Sequence, residues 1–239
     1  MPVFLLNEAL SLPDPRLAER DGLLAVGGDL RPERLVLAYR QGIFPWSSDG
    51  EPLLWWCPAP RMVLFPDELY VGRSLRKAIR RDVGRLRITL DRDFTGVMAG
   101  CAEVPRPGQD GTWITAGILA GMTALHDRGI VHSVEVWDGD ALVAGLYGLA
   151  LGRVFCGESM FTRRPNASKI AFVALVRQLR AWGYAMIDCQ QVTAHLRRFG
   201  ARELAKDDFL ARLARHVDEP GHPAPWAFDP PGAARWLDD

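Results

Sequence analysis

Residues 131–156 read VHSVEVWDGDALVAGLYGLALGRVFC. Val131–Trp137 alternates apolar and polar side chains, the period of a strand with one face buried. Asp138-Gly139 is a hairpin signal, and the apolar run Ala141–Ala150 returns as a second strand. Arg153–Cys156 follows as a third. Beyond it, Asn166 is placed to cap a long helix whose Phe172, Leu175, Val176, Leu179 and Trp182 share one face. Tyr184–Gln190 then reads as a further strand. Upstream of the quoted stretch, Ser74–Arg81 reads as a basic helix, Leu86–Leu90 as a strand and Glu103–Gly111 as a loop. Ile114–Asp127 reads as a helix closed by Gly129. Downstream, Ala194–Phe199 is a short helix stopped by Gly200, and a last helix opens at Asp207 or Asp208. The order is helix, mostly antiparallel meander, long helix, strand. That order is α+β.

The first sixty residues differ. They are dense in Gly, Pro and Trp and hold one clear helix, Pro32–Gln41, with Pro at its first turn and Gly42 past its end. Pro58, Pro60 and Pro66 mark a boundary. The expected organisation is a small N-terminal domain over 1–62, a larger domain over 63–218 and a Pro-rich tail over 219–239, which composition predicts to be poorly ordered.

The chain has 239 residues, 29 basic and 29 acidic, so net charge gives no global reason to expect a polyanionic partner. The charge is uneven, however: residues 73–92 carry eight basic side chains against Asp82 and Asp91, a net +6. Cys57, Cys101, Cys156 and Cys189 form no CxxC pair, so no zinc site is written here, and reduced buried thiols are expected. The N-terminus lacks the pattern of a signal peptide, and no apolar run approaches the roughly 18–20 residues of a membrane span. The expectation is a cytoplasmic protein without membrane contact.

Two segments carry chemistry. Glu158 follows the apolar strand Arg153–Gly157. Asp188 and Gln190 stand two apart, and in a strand such residues share a face while Cys189 points away. Two carboxylates and a carboxamide together can hold an amine and handle its proton. Cys189 with His195 does not make a thiol nucleophile, because spacing places no orienting carboxylate.

Nine short motifs occur in order: AYRQGIFPW, LWWCPAPR, GTWIT, LHDRG, HSVEVWDGD, LVAGLYGLALGRVFCGESMF, NASK, DCQ and GARE. Over residues 4–213 the chain resembles the leucyl/phenylalanyl-tRNA–protein transferases. The resemblance implies a small N-terminal domain packed on an acetyltransferase-like (GNAT-type) domain, as in the Fem-type peptidoglycan aminoacyltransferases. It implies transfer of Leu or Phe, with Met a further candidate, from aminoacyl-tRNA to proteins beginning with Arg or Lys, which marks them for degradation through an N-degron pathway. Catalytic roles then fall to Asp188, Gln190 and Glu158. Asp188 would hold and polarise Gln190, which orients the amine. Glu158 would partner the cationic acceptor residue, through its ammonium or its side chain. Tyr39, Trp46 and Trp113 correspond to positions lining the aminoacyl-adenosine site, where aromatics stack on single-stranded ends. Leu146, Phe155, Met160, Leu175 and Ile187 would form the side-chain pocket. Arg76, Lys77, Arg80 and Arg81 would hold the tRNA backbone. One departure stands out: Gly121-Met122 replaces the family's usual Ala-Tyr, whose Tyr is an active-site aromatic.

The chemistry agrees. An aminoacyl ester is already activated, so neither ATP, metal nor another cofactor is needed. An α-amine has a pKa of about 8, so roughly a tenth is neutral near pH 7. Alignment supplies several kcal/mol, and proton removal a further factor of about 10²–10⁴. The sequence leaves open whether Asp188 or Gln190 takes the proton. The alternative on the same fold is an acyl-CoA-dependent N-acetyltransferase, but Thr162–Ala167 contains no glycine and no pyrophosphate loop. A non-catalytic RNA-binding module would leave Glu158, Asp188 and Gln190 without a purpose.

Overall fold

The computed structural model describes residues 3–48, 50–82, 84–103 and 112–228. The expected loop Glu103–Gly111 falls almost wholly outside them. A four-stranded sheet comes first, from β1 (Phe4–Leu6), β2 (Leu23–Gly27), β3 (Phe44–Pro45) and β4 (Leu54–Trp56), in the order β1-β2-β4-β3. Helix α1 (Pro32–Arg40) joins β2 to β3 and begins on Pro32, whose missing N–H is one the first turn leaves unused.

A seven-stranded sheet follows, in the order β11-β5-β10-β9-β8-β7-β6. Its strands are β5 (Arg61–Leu64), β6 (Leu86–Leu90), β7 (Val131–Asp138), β8 (Ala141–Leu151), β9 (Val154–Thr162), β10 (Met186–Asp188) and β11 (Arg202–Leu204). Helices α2 (Arg73–Asp82), α3 (Phe94–Glu103), α4 (Ala116–Asp127), α5 (Ala167–Ala181), α6 (Ala194–Arg197) and α7 (Lys206–His216) intervene. β6 to β9 form the expected antiparallel meander, α5 crosses over, and β10 returns parallel to β9. This is the α+β topology that the sequence order implied. The boundary read at residue 62 falls inside β5, which is already part of the larger sheet.

The larger sheet is buried on both faces. Ile170, Phe172, Leu175, Val176 and Leu179 of α5 pack with Leu146, Phe155 and Ile187 on one side. Each such side chain removed from water is worth about 1.5–3 kcal/mol. On the other side α3 and α4 join the N-terminal sheet in one continuous core, from Leu24 and Leu35 through Val97 and Tyr147 to Leu213.

Several local expectations are corrected. β9 does not stop near Gly157 but runs to Thr162, so Glu158 lies within a strand. Asn166 occupies the N-cap position with φ of 67° and makes no capping bond; its side chain accepts from Lys169 instead. β10 ends at Asp188, two residues short of Gln190. Within the tail, Trp226 is buried in the core beside α5, so described tail residues pack on the protein. Tail residues 229–239 lie outside the described residues. The sequence reading did not find α3, whose mixed Gly and Ala content blurs its period, or the three-residue strand β11.

Candidate active site

β9 and β10 pair from Val154↔Met186 to Cys156↔Asp188 and then part. On its other side β9 pairs Gly157 with Gly148 and Ser159 with Tyr147, which leaves Glu158 as an extra residue opposite no partner. That is a β-bulge, a device that re-aims a side chain. Glu158 is thereby turned into the opening that the parting strands create. The bulge leaves no mark in the residue pattern, which is why the sequence placed Glu158 at a strand end.

Gln190 reaches the same opening by a different route from the one expected. It has φ of 59°, so the two residues are not alternate positions of one strand. Its backbone N–H donates to Asp188 Oδ1 at 2.9 Å, and its carbonyl accepts from Met62 N–H at 3.2 Å. Its side-chain Nε2 donates to Glu158 Oε1 at 2.6 Å. Asp188 therefore fixes the backbone of Gln190, and Glu158 fixes its carboxamide. Cys189 does not point away: it lines the same pocket as Gln190, whereas Asp188 lies behind.

Asp188 is held by Arg61. The guanidinium donates from Nε at 2.8 Å and from Nη2 at 2.7 Å, a bidentate pair with both side chains almost fully buried. Phe44 and Phe209 cover Arg61, with ring centroids 4.9 and 4.7 Å from its Cζ. Burial opposes the cation, yet Asp188 outweighs it and the Arg61 pKa lies above its ordinary value. The sequence reading missed Arg61. A signal existed, since the arginine opens the apolar run Arg61–Phe65 where a free cation would not be tolerated.

Glu158 titrates at about 7, against an ordinary 4.5. Burial is the main cause, and the charge of Asp188 adds to it. Contacts with Tyr39 and Gln190 and the Arg61 cation pull the other way. Tyr39 is buried on α1 with its hydroxyl toward Glu158, behind the pocket surface, and burial raises its pKa well above the ordinary value. Burial likewise raises the Cys189 pKa far above that of a free thiol, so it stays protonated.

The opening leads into a pocket of about 530 Å³. Leu146, Phe155, Met160, Leu175 and Ile187 all line it, as do Trp46 and Trp113. Leu146 and Met160 are cross-strand partners, as are Phe155 and Ile187, so the apolar wall is built across the splay. Phe44 and Thr193 join the lining without having been singled out, as do Phe172, read only as a helix-face residue, and His195, read only as a rejected partner for Cys189. Met122 does not reach it and is buried in the core. On α2, Arg76, Lys77, Arg80 and Arg81 are exposed. Arg81 pairs with Asp82 at 2.9 Å, so its charge is partly met within the protein.

A carboxylate and a carboxamide at the mouth of an apolar pocket, set where two parallel strands part, can hold an amine beside an apolar acyl group, as a transferase joining the two requires. A family model described as leucyl/phenylalanyl-tRNA protein transferase matches residues 63–214, and a second, described as that family's N-terminal domain, matches residues 28–59. A leucyl/phenylalanyl-tRNA–protein transferase from Anaeromyxobacter dehalogenans (strain 2CP-C) is 53% identical over 232 residues, which is 97% of this chain and 99% of that protein. One from Nitrosospira multiformis is 57% identical over 213 residues, covering 89% of this chain and 90% of its own. Among solved structures, a GCN5-related N-acetyltransferase from Kribbella flavida overlaps 76% of this chain and 63% of its own at 14% identity, with a TM-score of 0.39. The chain belongs to the leucyl/phenylalanyl-tRNA–protein transferase family.

Proposed function

We propose that the protein moves Leu or Phe from the 3′ end of aminoacyl-tRNA to the α-amine of proteins that begin with Arg or Lys, with Met as a further donor side chain. The observation that carries this reading is the 2.6 Å bond between Gln190 and Glu158 at the mouth of an apolar pocket. An ionised Glu158 needs donors, which commits the amide Nε2 of Gln190 to it and leaves Oε1 to accept from an ammonium. Glu158, titrating at about 7, takes a proton from the α-ammonium. Moving that proton from a group of pKa about 8 to one near 7 costs only about 1.4 kcal/mol.

The neutral amine then attacks the ester carbonyl. The C–N bond forms, the bond from carbonyl carbon to ribose oxygen breaks, and one of the two protons left on the amine goes to the departing tRNA 3′ oxygen while the other stays on the amide nitrogen. Asp188 and Arg61 do not touch the reacting atoms; they hold Gln190 in its left-handed backbone conformation. No covalent enzyme intermediate is needed, and the protonated Cys189 is not suited to form one. Until it takes that proton, the ionised Glu158 faces the acceptor's positive charge and repels the carboxylate of an acidic N-terminus. Tyr39 lies behind Glu158 and lowers its proton affinity, while Trp46 and Trp113 offer stacking faces to the terminal adenosine.

Arg76, Lys77 and Arg80 meet the tRNA backbone. The product enters a cytoplasmic degradation pathway that reads the new N-terminus. Among the described residues no helix is long and apolar enough to cross a membrane. The test supplies Leu-tRNA charged with labelled Leu and peptides beginning with Arg or Asp, without ATP or CoA. Label on the Arg peptide alone is expected; equal labelling of both would overturn the reading.

A further inference from the structure

We propose that Trp226 sets the depth of the side-chain pocket through Phe155, and thereby ranks Leu against Phe as the transferred group. This rests on the reading of that pocket as the aminoacyl side-chain site. Phe155 lines the pocket and is only 1% exposed, so one side of its ring meets the ligand space and the rest is packed. Two features confine it. Gly148 on β8 lies so close that a Cβ there would stand 2.6 Å from Phe155 Cζ. Trp226, which does not line the pocket, packs on Phe155 as well, with ring centroids 6.1 Å apart and planes inclined at 32°.

Trp226 cannot give way easily. It stacks on His132 at 3.6 Å with nearly parallel planes, and Trp182 and Tyr184 meet it edge-on at 4.9 and 6.0 Å. His132 is itself fixed, with Nδ1 bonded to Asp91 at 2.7 Å and Nε2 to the Gly129 carbonyl at 3.1 Å. The segment is secured a second time where His222 stacks on Trp182 at 3.9 Å. The stretch after α7 therefore acts as a strap whose one buried ring backs the pocket residue Phe155. Shrinking that ring opens space behind Phe155, which can then retreat and lengthen the pocket. A longer pocket favours Phe, and differences of this size in apolar pockets are worth about 10-fold or more.

The experiment measures kcat/KM for Leu-tRNA and Phe-tRNA with one Arg peptide, in wild type, Trp226→Phe and Trp226→Ala. The expected result is a Phe/Leu ratio that rises about tenfold in Trp226→Ala, with Trp226→Phe in between. A merely structural role would lower both donors together and leave the ratio fixed. Where Trp226→Ala folds poorly, equilibrium binding of amide-linked Leu-adenosine and Phe-adenosine to Trp226→Phe and Trp226→Leu gives the same ratio without turnover. A ratio within twofold of wild type in the folded variants would overturn the role of Trp226 alone. A wild type that transfers neither residue would overturn the functional reading beneath it.

Discussion

Glu158 owes its place in the pocket to one inserted residue in β9, and its proton affinity to the burial that follows. The folded protein holds its proton up to about pH 7, while the unfolded chain releases it near 4.5. Stability from this group is complete below about pH 4.5 and is lost as pH rises through 7. Glu158→Gln removes the penalty and can still accept from Gln190. Its stability should therefore gain on wild type between pH 5 and 8, by about 1–2 kcal/mol after allowing for partial exposure. Urea unfolding at both pH values checks this. In the same variant turnover should fall by about 10²–10⁴, and the acid limb of kcat/KM near pH 7 should disappear. An unchanged limb would place the titrating base elsewhere. Arg61 answers to a different measurement. Arg61→Met leaves Asp188 buried and unpaired, at a cost of about 3–5 kcal/mol. It also removes a cation that lowers the Glu158 pKa, so the acid limb should move to higher pH. Adding Asp188→Asn should restore much of the stability and little of the turnover. Additive losses in that cycle would mean that the two residues are not coupled.

Among the elements, α2 and α4 carry separable predictions. On α2, Arg76 and Arg80 share a face with free exposure, whereas Arg81 spends part of its charge on Asp82. Replacing Arg76 and Arg80 with Ala should flatten the slope of log tRNA affinity against log salt by about 1.4–1.8, and the Lys77/Arg81 pair by less. Transfer from a minimal aminoacyl-adenosine donor should hardly change in either. Equal damage to that donor would remove α2 from the tRNA contact. On α4, Gly121 is pressed against the chain ahead of α1, where an added Cβ would lie 2.7 Å from the Leu30 carbonyl oxygen. The helix thus packs closely, and Met122 is left fully buried rather than facing substrate. Met122→Tyr overfills that site and should cost about 1–3 kcal/mol in thermal or urea unfolding; unchanged stability would mean the ring has found the pocket. The elements with a sustained period were legible in the sequence: α5, the β7–β8 hairpin and β6, whose ends match their reading. The site's apolar wall was legible only through resemblance, because Met and Phe at those spacings also describe plain core. What stayed hidden was contact between distant segments. Arg61 and Asp188 are 127 positions apart, the Glu158 bulge has no composition, and the Gln190 backbone turn replaces a strand without changing a single residue type.

At the scale of the molecule, the two sheets share a core, and Arg61, which holds Asp188 behind the site, lies on their seam. Arg61 opens β5 of the larger sheet, Phe44 on its one side belongs to β3 of the smaller, and Phe209 on the other belongs to α7. Gly42 lets the chain between α1 and β3 pass against Phe209, where a Cβ would stand 2.7 Å from the ring. Arg16 pairs with Asp207 of α7 at 3.0 Å and Arg40 with Asp218 just beyond it, so this end of the chain meets the N-terminal unit through charge as well. A boundary near residue 62 separates sequence composition, while the shared core and the Arg61 seam predict that neither sheet opens alone. Phe209→Ala should leave a cavity at this seam and cost about 3–5 kcal/mol. Because the seam holds Arg61, hydrogen exchange should accelerate together in Leu23–Gly27 of the small sheet and in Met186–Asp188 beside the site. Transfer activity should fall in step with that exchange as temperature rises. Fast exchange confined to Leu23–Gly27, with the site strand protected as in wild type, would show instead that the N-terminal sheet opens as an independent unit.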